Sequence, residues 1–411
     1  MTTSRRASRD TWTRVAFGDV VKLCRDRSSN PRVDGLERYV GLEHLVPGDM
    51  SIQSWGSIAD GTTFTSVFRP GHVLFGKRRA YQRKVAVADF HGVCSSDIYV
   101  LEPKGESLLP GLLPFLCQTE AFFRHALKTA AGGLSPRTNW KDLAKFEFAL
   151  PPHEEQRRIE DVLNRCESLH RATVQAASVS TMTLVAARHR LMSRLSPDTE
   201  SAKSRSTILP PRWSRRTLAD IVEAPYGIVD GPFGSNLKSE HYRDSGYPVV
   251  QSAFVASGAF DPHAADWVYV DESKFQEQHR SAVRAGDIVM VKVGVNCGAC
   301  DVVPAGQPTG ILAGNCLKIS PKREICDTRF LLHYLKWLRE VGLLERHVTS
   351  TQQRALTLGR LKGQRIILPP LSEQEYSVRV LDSCQRAESD LAERKAAVTR
   401  MAKLLREEAL A

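Results

Sequence analysis

The phrase LPPHEEQ occupies Leu150 to Gln156, and LPPLSEQ recurs at Leu368 to Gln374, 218 residues further on. A repeat limits the possible architectures more than any local pattern does. At the same offset VCSSDIYVLEPK (Val93 to Lys104) faces ILAGNCLKISPK (Ile311 to Lys322), each a strand-like alternation ending in Pro-Lys. Upstream the offset falls to 215, where RPGHVLFGK (Arg69 to Lys77) faces RAGDIVMVK (Arg284 to Lys292), so a three-residue loop insertion separates the two blocks. Further upstream WTRVAFGDVV (Trp12 to Val21) faces WSRRTLADIV (Trp213 to Val222). The chain is therefore a tandem of two related halves, each of about 150 residues with its own core. Such a period is far too long for a solenoid.

The segment after each phrase differs in kind from the half before it. From His153 to Ser193, and again from Ser372 to Ala411, there is neither Gly nor Pro, and Ala, Arg, Glu and Leu abound. Each segment predicts a helix of about 60 Å at 1.5 Å per residue. Pro151 and Pro152 cannot sit inside a helix, and Ser372 with Glu375 forms a capping-box pattern, so the repeated phrase is a helix start signal. A three-four spacing gives a seam of Leu163, Cys166, His170, Thr173, Ala177, Ser180, Leu184, Ala187 and Leu191 in the first helix. In the second it gives Leu381, Cys384, Glu388, Leu391, Lys395, Val398, Ala402, Leu405 and Ala409. That repeat suits a two-helix coiled coil, with polar His170 and Glu388 fixing register. A pseudo-twofold relation between the halves makes the pair antiparallel and sets the globular domains at opposite ends of a rod.

Within each half, short strands rich in Val, Ile and aromatics alternate with Gly and Pro turns, and a helix is predicted over Leu108 to Thr129 and its counterpart Thr328 to His347. The predicted fold is mixed α/β (α+β). A first domain covers 1–152, a first long helix 153–194, a Ser-, Pro- and Lys-rich linker 195–212, a second domain 213–370 and a second long helix 371–411.

A formal charge of +11 and a pI near 9.3 favour polyanionic partners. No apolar run is long enough to span a bilayer, and MTTSRRASRD at the start lacks the apolar core of a secretory signal, which predicts the cytoplasm and no membrane partner. The nine cysteines, odd in number and irregularly spaced, argue against a disulfide framework. Cys297 and Cys300 form a CxxC that Cys316 and Cys326 could complete as a zinc site, but the spacing is loose and buried small hydrophobes are the plainer reading.

GKRRAYQRK packs Lys77, Arg78, Arg79, Arg83 and Lys84 around Tyr81 after a strand. Arginine pairs bidentately with guanine and either cation pairs with phosphate, whereas the plainer reading is a solvated strand edge. Lys292 is the counterpart of Lys77, in the nearly uncharged VKVGVNC with Asn296, so the halves are expected to read different sequences. DGPFGSNLK, with Ser235, Asn236 and Lys238, serves either as a turn or as a phosphate-contacting loop. It lacks the ending of a nucleotide P-loop. SPRTNW and STQQRAL occupy equivalent loops before the last strand of each half. Asn139, Gln352 and Gln353 are the side chains suited to adenine, beside Arg137 and Arg354.

Taken in this duplicated order, LPPHEEQRRIEDVL, LPPLSEQEYSVRVL, GIVDGPFGSNLKSEHY and LFGKRRAYQRKVAVADFHGVCSSDIYVLEP resemble the specificity subunit of type I restriction-modification systems over nearly the whole chain. The second phrase departs from the family in lacking the basic, isoleucine-bearing continuation of the first, and there the symmetry is expected to be least faithful. The resemblance implies two target recognition domains that read a bipartite double-stranded DNA sequence across a helical spacer, with no catalysis in this chain. It also implies two modification subunits that methylate adenine N6 and two ATP-driven restriction subunits. S-adenosylmethionine, ATP and Mg then belong to those partners, and this chain holds no cofactor. The rival readings are a zinc-dependent nucleic-acid enzyme and a stand-alone DNA-binding regulator.

Overall fold

The computed structural model describes residues 11–197, 209–349 and 354–410. The chain divides into two compact units, Met1–Ala176 with Ala392–Ala411, and Ala177–Leu391.

Unit 1 begins by pairing its ends. Thr13–Ala16 runs antiparallel to Glu147–Leu150, with Thr13 opposite Leu150. A four-stranded antiparallel sheet comes next, in the order Val21–Leu23, Ile98–Pro103, Val73–Gly76, Val85–Val87. A second sheet has the order Gly56–Ser57, Arg38–Val40, Gly92–Cys94, Ser66–Phe68, its inner pair parallel. The central strand VLFG is buried along its length because it is covered on both faces. Strand alternation sends Val73 and Phe75 into the core that holds Phe17, Phe122 and Phe146, and Leu74 into the core that holds Phe68 and Val100.

Unit 2 repeats the plan. Ser214–Thr217 pairs with Arg365–Leu368, and Ser214 faces Leu368 as Thr13 faces Leu150. Its first sheet has the order Ile228–Asp230, Cys316–Ile319, Ile288–Val291, Cys300–Val302, and its second Tyr269–Val270, Tyr247–Val250, Gly310–Leu312, Ala282–Val283. Ile288 and Met290 enter the core around Trp337, while Val289 and Val291 enter the core around Phe254. The tandem read from the repeat is thus reproduced strand by strand.

The helices differ from expectation in three places, the first being that the helix expected over Thr328 to His347 ends at Glu340, where Gly342 at φ 73° breaks it before a separate turn over Leu343–His347. Thr328–Glu340 is continuous from its Asp327 cap, which accepts the Phe330 N–H at 2.9 Å. Its counterpart, expected to run over Leu108 to Thr129, breaks into Pro110–Leu112, Leu113–Leu116 and Glu120–Lys128. The cause is local: Thr119 donates its hydroxyl to the Leu116 carbonyl and accepts the Phe122 N–H, ending one helix and capping the next.

The long helices are His153–Met192 and Leu371–Leu410. In unit 1, Ile159 and Leu163 near the start of the first pack in one core with Leu405, Ala409 and Leu410 at the end of the second. In unit 2, Leu184, Ala187 and Leu191 near the end of the first meet Val378, Leu381 and Cys384 near the start of the second. The pair is antiparallel. Every seam residue read from the sequence is buried or half-buried except Lys395, whose charge stays exposed at the surface. Glu388 accepts the Thr181 hydroxyl across the helices at 3.0 Å. The second helix starts at Leu371, directly after Pro370, so Ser372 lies in its first turn and not at a capping position.

Candidate nucleic-acid interface

In unit 1 the strand Val73–Gly76 delivers Lys77, Arg78 and Arg79 beyond the sheet, where the loop before the last strand is stitched to them. The Lys77 carbonyl accepts the Thr138 N–H at 2.9 Å, the Arg79 N–H donates to the Pro136 carbonyl at 2.8 Å, and Arg78 and Arg137 face each other in an antiparallel bridge. Two basic stretches far apart in sequence become one surface. Arg78 donates Nε to Ser135 Oγ at 2.8 Å and Nη1 to Asp97 Oδ2 at 3.1 Å, while Arg137 donates Nε to Asp97 Oδ1 at 3.0 Å. Arg79, exposed, reaches Ser135 Oγ at 3.2 Å. Lys77 sits with Nζ 4.6 Å from the Tyr99 ring centre. Burial pulls its ammonium below the ordinary lysine range, with Asp97 opposing and Arg137 and Arg27 reinforcing. Arg27, exposed and hydrogen-bonded to Thr65 Oγ1 at 2.9 Å, therefore belongs to the same field.

The backbone divides the cluster. Arg79 and Arg83 both adopt φ 54°, the left-handed region that costs an L-residue energy, and they bracket the turn Ala80–Gln82. That turn points the following cations elsewhere. Arg83 makes a bidentate pair with Glu120 and lies 5.2 Å from the Phe123 ring centre, and Lys403 reaches the same carboxylate at 2.7 Å. Lys84 donates Nζ to the Leu42 carbonyl at 2.6 Å. Tyr81 is exposed. Asn139, also exposed, accepts the Lys141 N–H at 3.1 Å and so caps Trp140–Leu143.

Unit 2 builds the same junction with other side chains. The Lys292 N–H donates to the Asn315 carbonyl as Lys77 does to Asp97, the Leu356 N–H donates to the Lys292 carbonyl, and the Gly294 N–H donates to the Arg354 carbonyl. Lys292 itself is held by Asp230 at 2.6 Å, over the Phe233 ring at 4.1 Å. The DGPF of the glycine-rich stretch thus supplies an anion and an aromatic face for this lysine. Gly231 is required there because a Cβ would meet the Ala313 carbonyl oxygen at 2.0 Å. Along the same loop the Gly231 N–H extends the pairing to the Cys316 carbonyl, while the N–H groups of Asn236 and Lys238 are bonded to Phe233 and His241, a turn's pattern. Ser235, Asn236 and Lys238 are exposed, with Lys238 3.6 Å from Glu240. Asn296 is exposed, and Arg354 pairs with Glu345 at 2.5 Å. Gln352 and Gln353 lie outside the described residues.

Three participants escaped the sequence reading: Asp97, Ser135 and Arg27. Asp97 stands opposite Asn315 in the repeat, and that change of charge was the available signal.

Cys297, Cys300 and Cys326 pack in one core and Cys316 in another, and burial pushes the thiols of Cys300, Cys316 and Cys326 up to about 12. Among the described residues the one trio of metal-ligand type with close donor atoms is Cys24, His72 and Glu102. Here His72 Nδ1 accepts the Arg69 N–H at 3.2 Å, which leaves the proton on the Nε2 facing Glu102, and Cys24 and Lys22 each reach Glu102 Oε1 at 3.1 Å. Those protons and that ammonium fill the place of a cation. No helix among the described residues is long and apolar enough to cross a membrane.

The sequence profile of the Type I restriction modification DNA specificity domain matches residues 10–176 and again 210–399. The chain belongs to that family. Similar specificity-domain proteins include the type I restriction enzyme EcoDI specificity subunit of Escherichia coli, 29% identical over 161 residues that make up 35% of each chain. The putative type I restriction enzyme MjaX specificity subunit of Methanocaldococcus jannaschii is 24% identical over 177 residues, 42% of this chain and 39% of that protein. The match thus spans less than half the length of either relative. In fold, the specificity-family chain resembles the S subunit of a type I restriction-modification system from M. genitalium, with TM-score 0.61 and 14% identity over 100% of this chain and 99% of that one. It also resembles a chain from a solved type I R-M system described for its complex assembly and conformational transition, with TM-score 0.58 and 20% identity over 97% of both chains.

Proposed function

We propose that this chain is the DNA-reading specificity subunit of a type I restriction-modification complex, and that it carries no catalysis of its own. One observation carries the reading: the same strand-to-loop junction is built twice with matching backbone hydrogen bonds, yet the bridge of Arg78 with Arg137 in unit 1 is a bridge of Val293 with Ala355 in unit 2. A duplicated frame with divergent tips suits two readers of different half-sites. Residues 1–152 and 213–370 are the two target recognition domains, 153–194 and 371–411 the spacer, and 195–212 the linker. DNA presents equivalent faces every turn of about 34–36 Å, so two readers held apart select a bipartite sequence with an unread gap.

The DNA surface consists of Lys77, Arg78, Arg79, Tyr81, Arg137 and Asn139 with Arg27 in the first domain, and Lys292, Asn296, Ser235, Asn236, Lys238, Arg354, Gln352 and Gln353 in the second. Arg83 and Lys84 support the first surface from behind. Two modification subunits using S-adenosylmethionine dock on the spacer and methylate adenine N6, and two ATP- and Mg-dependent restriction subunits complete the complex in the cytoplasm. Exchanging residues 213–367 for the matching region of a relative tests the division of labour by sequencing of methylated sites. One half-site should change and the other persist; a change in both, or methylation independent of this chain, overturns the reading.

A further inference from the structure

We propose that Asp97 is the positioning residue of the unit 1 reading surface, holding Arg78 and Arg137 as a fixed pair of guanidinium groups and so setting base specificity in one half-site. The proposal rests on the DNA-reading function above.

Arg78 and Arg137 are direct partners in an antiparallel bridge, a geometry that sets Cα atoms about 4.5–5.5 Å apart and makes like charges repel. Asp97 resolves the repulsion, taking Arg78 Nη1 on one oxygen at 3.1 Å and Arg137 Nε on the other at 3.0 Å. The carboxylate is itself held: its side chain is 15% exposed, the Asp97 N–H donates to Ser95 Oγ at 3.2 Å, and its carbonyl accepts the Lys77 N–H at 3.0 Å. Ser135 Oγ fixes Arg78 Nε at a second point. Arginines anchored before DNA arrives lose little further freedom on binding, and a fixed fork discriminates guanine where a mobile one meets any phosphate.

The second unit serves as an internal control. At the positions of Arg78, Arg137 and Asp97 it carries Val293, Ala355 and Asn315, and Val293 and Ala355 form the same bridge. The Asn315 carbonyl still accepts the Lys292 N–H at 2.8 Å, and its Nδ2 donates to Ser252 Oγ at 2.6 Å. The fold therefore needs the backbone of this residue in both units. It carries the carboxylate only where the arginine pair stands.

Two experiments on the full-length chain test the assignment. In the first, wild type and Asp97→Asn select from a randomised duplex library. Asp97→Asn should lose about tenfold of base preference in one half-site, keep the other, and bind unselected duplex at least as well as wild type. Asp97→Glu should recover part of the preference. Unchanged preference in both half-sites overturns the positioning role alone, and so does equal loss in both. A wild type that selects no bipartite sequence overturns the DNA reading as well. The second experiment needs no DNA: Arg78→Val with Arg137→Ala takes both hydrogen-bonded cations from a mostly buried carboxylate, so adding Asp97→Asn should raise the Tm of that double variant. A triple variant no more stable than the double overturns the proposal.

Discussion

Gln374 accepts the backbone N–H of Asp327 at 2.8 Å, and the amide end of the same side chain donates to the carbonyls of Ile325 and Pro369 at 2.9 and 2.8 Å. Gln156 makes the matching set in unit 1, accepting from Leu109 at 2.9 Å and donating to Ser107 and Pro151 at 2.8 and 2.9 Å. Both side chains are almost fully buried. The last letter of each repeated phrase therefore clamps the long helix to the loop that opens the body's own helix. The second phrase, where the weaker symmetry was expected, is as faithful as the first. Gln374→Leu takes the partner from one N–H and two carbonyls around a fully buried side chain and should cost about 2–4 kcal/mol. Thermal unfolding reads this as a Tm lowered by roughly 5–15 °C, against a near-neutral Glu375→Gln at the exposed neighbouring position. Equal Tm values for the two variants would sink the clamp.

Glu120 ties a small part of the fold's stability to pH. The Arg83 guanidinium, then the Lys403 ammonium, hold its carboxyl down at about 2, against the ordinary 4.5. A depressed carboxyl contributes stability that is fully present above its unfolded value and is lost as pH falls through the folded one. Wild type should therefore exceed Glu120→Gln in urea midpoint at pH 6, and the gap should close between pH 4.5 and 2. The group is partly exposed, so the gap is modest and shrinks with salt. A gap constant over that window would remove the pair from the account.

How much of this was legible depends on the range of each interaction. The duplication, the helix starts and the seam from Leu163 to Leu191 are written locally, in a phrase and a heptad, and the structure reproduces them. The basic run at Gly76 to Lys84 was legible as a charge cluster but not as two groups. What diverts Arg83 is Glu120, 37 residues on, and no spacing rule connects them. Asp97 lay in plain view in the aligned blocks, yet its part depends on a loop 40 residues away folding back across it. The helix break at Thr119 was missed because the hydroxyl of a threonine competes with the backbone only once the chain has turned there.

The cysteines admit a direct chemical check. With burial holding Cys94, Cys300, Cys316 and Cys326 at about 12, roughly one thiol in 10,000 is ionised at pH 8, and burial raises Cys117 as well. Native protein should leave these five unmodified by a thiol reagent that reaches all nine in urea. A metal chelator should leave Tm unchanged. Stoichiometric zinc whose removal lowers Tm and exposes Cys297, Cys300, Cys316 and Cys326 to the reagent would restore the metal reading.

The turn at Ala80–Gln82 separates two kinds of arginine, and salt dependence tells them apart. Arg79 and Arg137 are exposed, with hydrogen bonds to Ser135 and Asp97. Arg83 is committed to Glu120 and to the Phe123 ring. Each phosphate contact adds about one unit to the slope of log affinity against log salt. Arg79→Ala should therefore flatten the slope on random-sequence duplex by about one unit while leaving Tm nearly unchanged. Arg83→Ala should keep the slope and lower Tm slightly, because it takes one of two cations from a partly exposed Glu120 that Lys403 still holds, without removing a phosphate contact. Fluorescence titration over a salt series with parallel melts decides the matter. An unaltered slope for Arg79→Ala would remove that arginine from the proposed DNA surface.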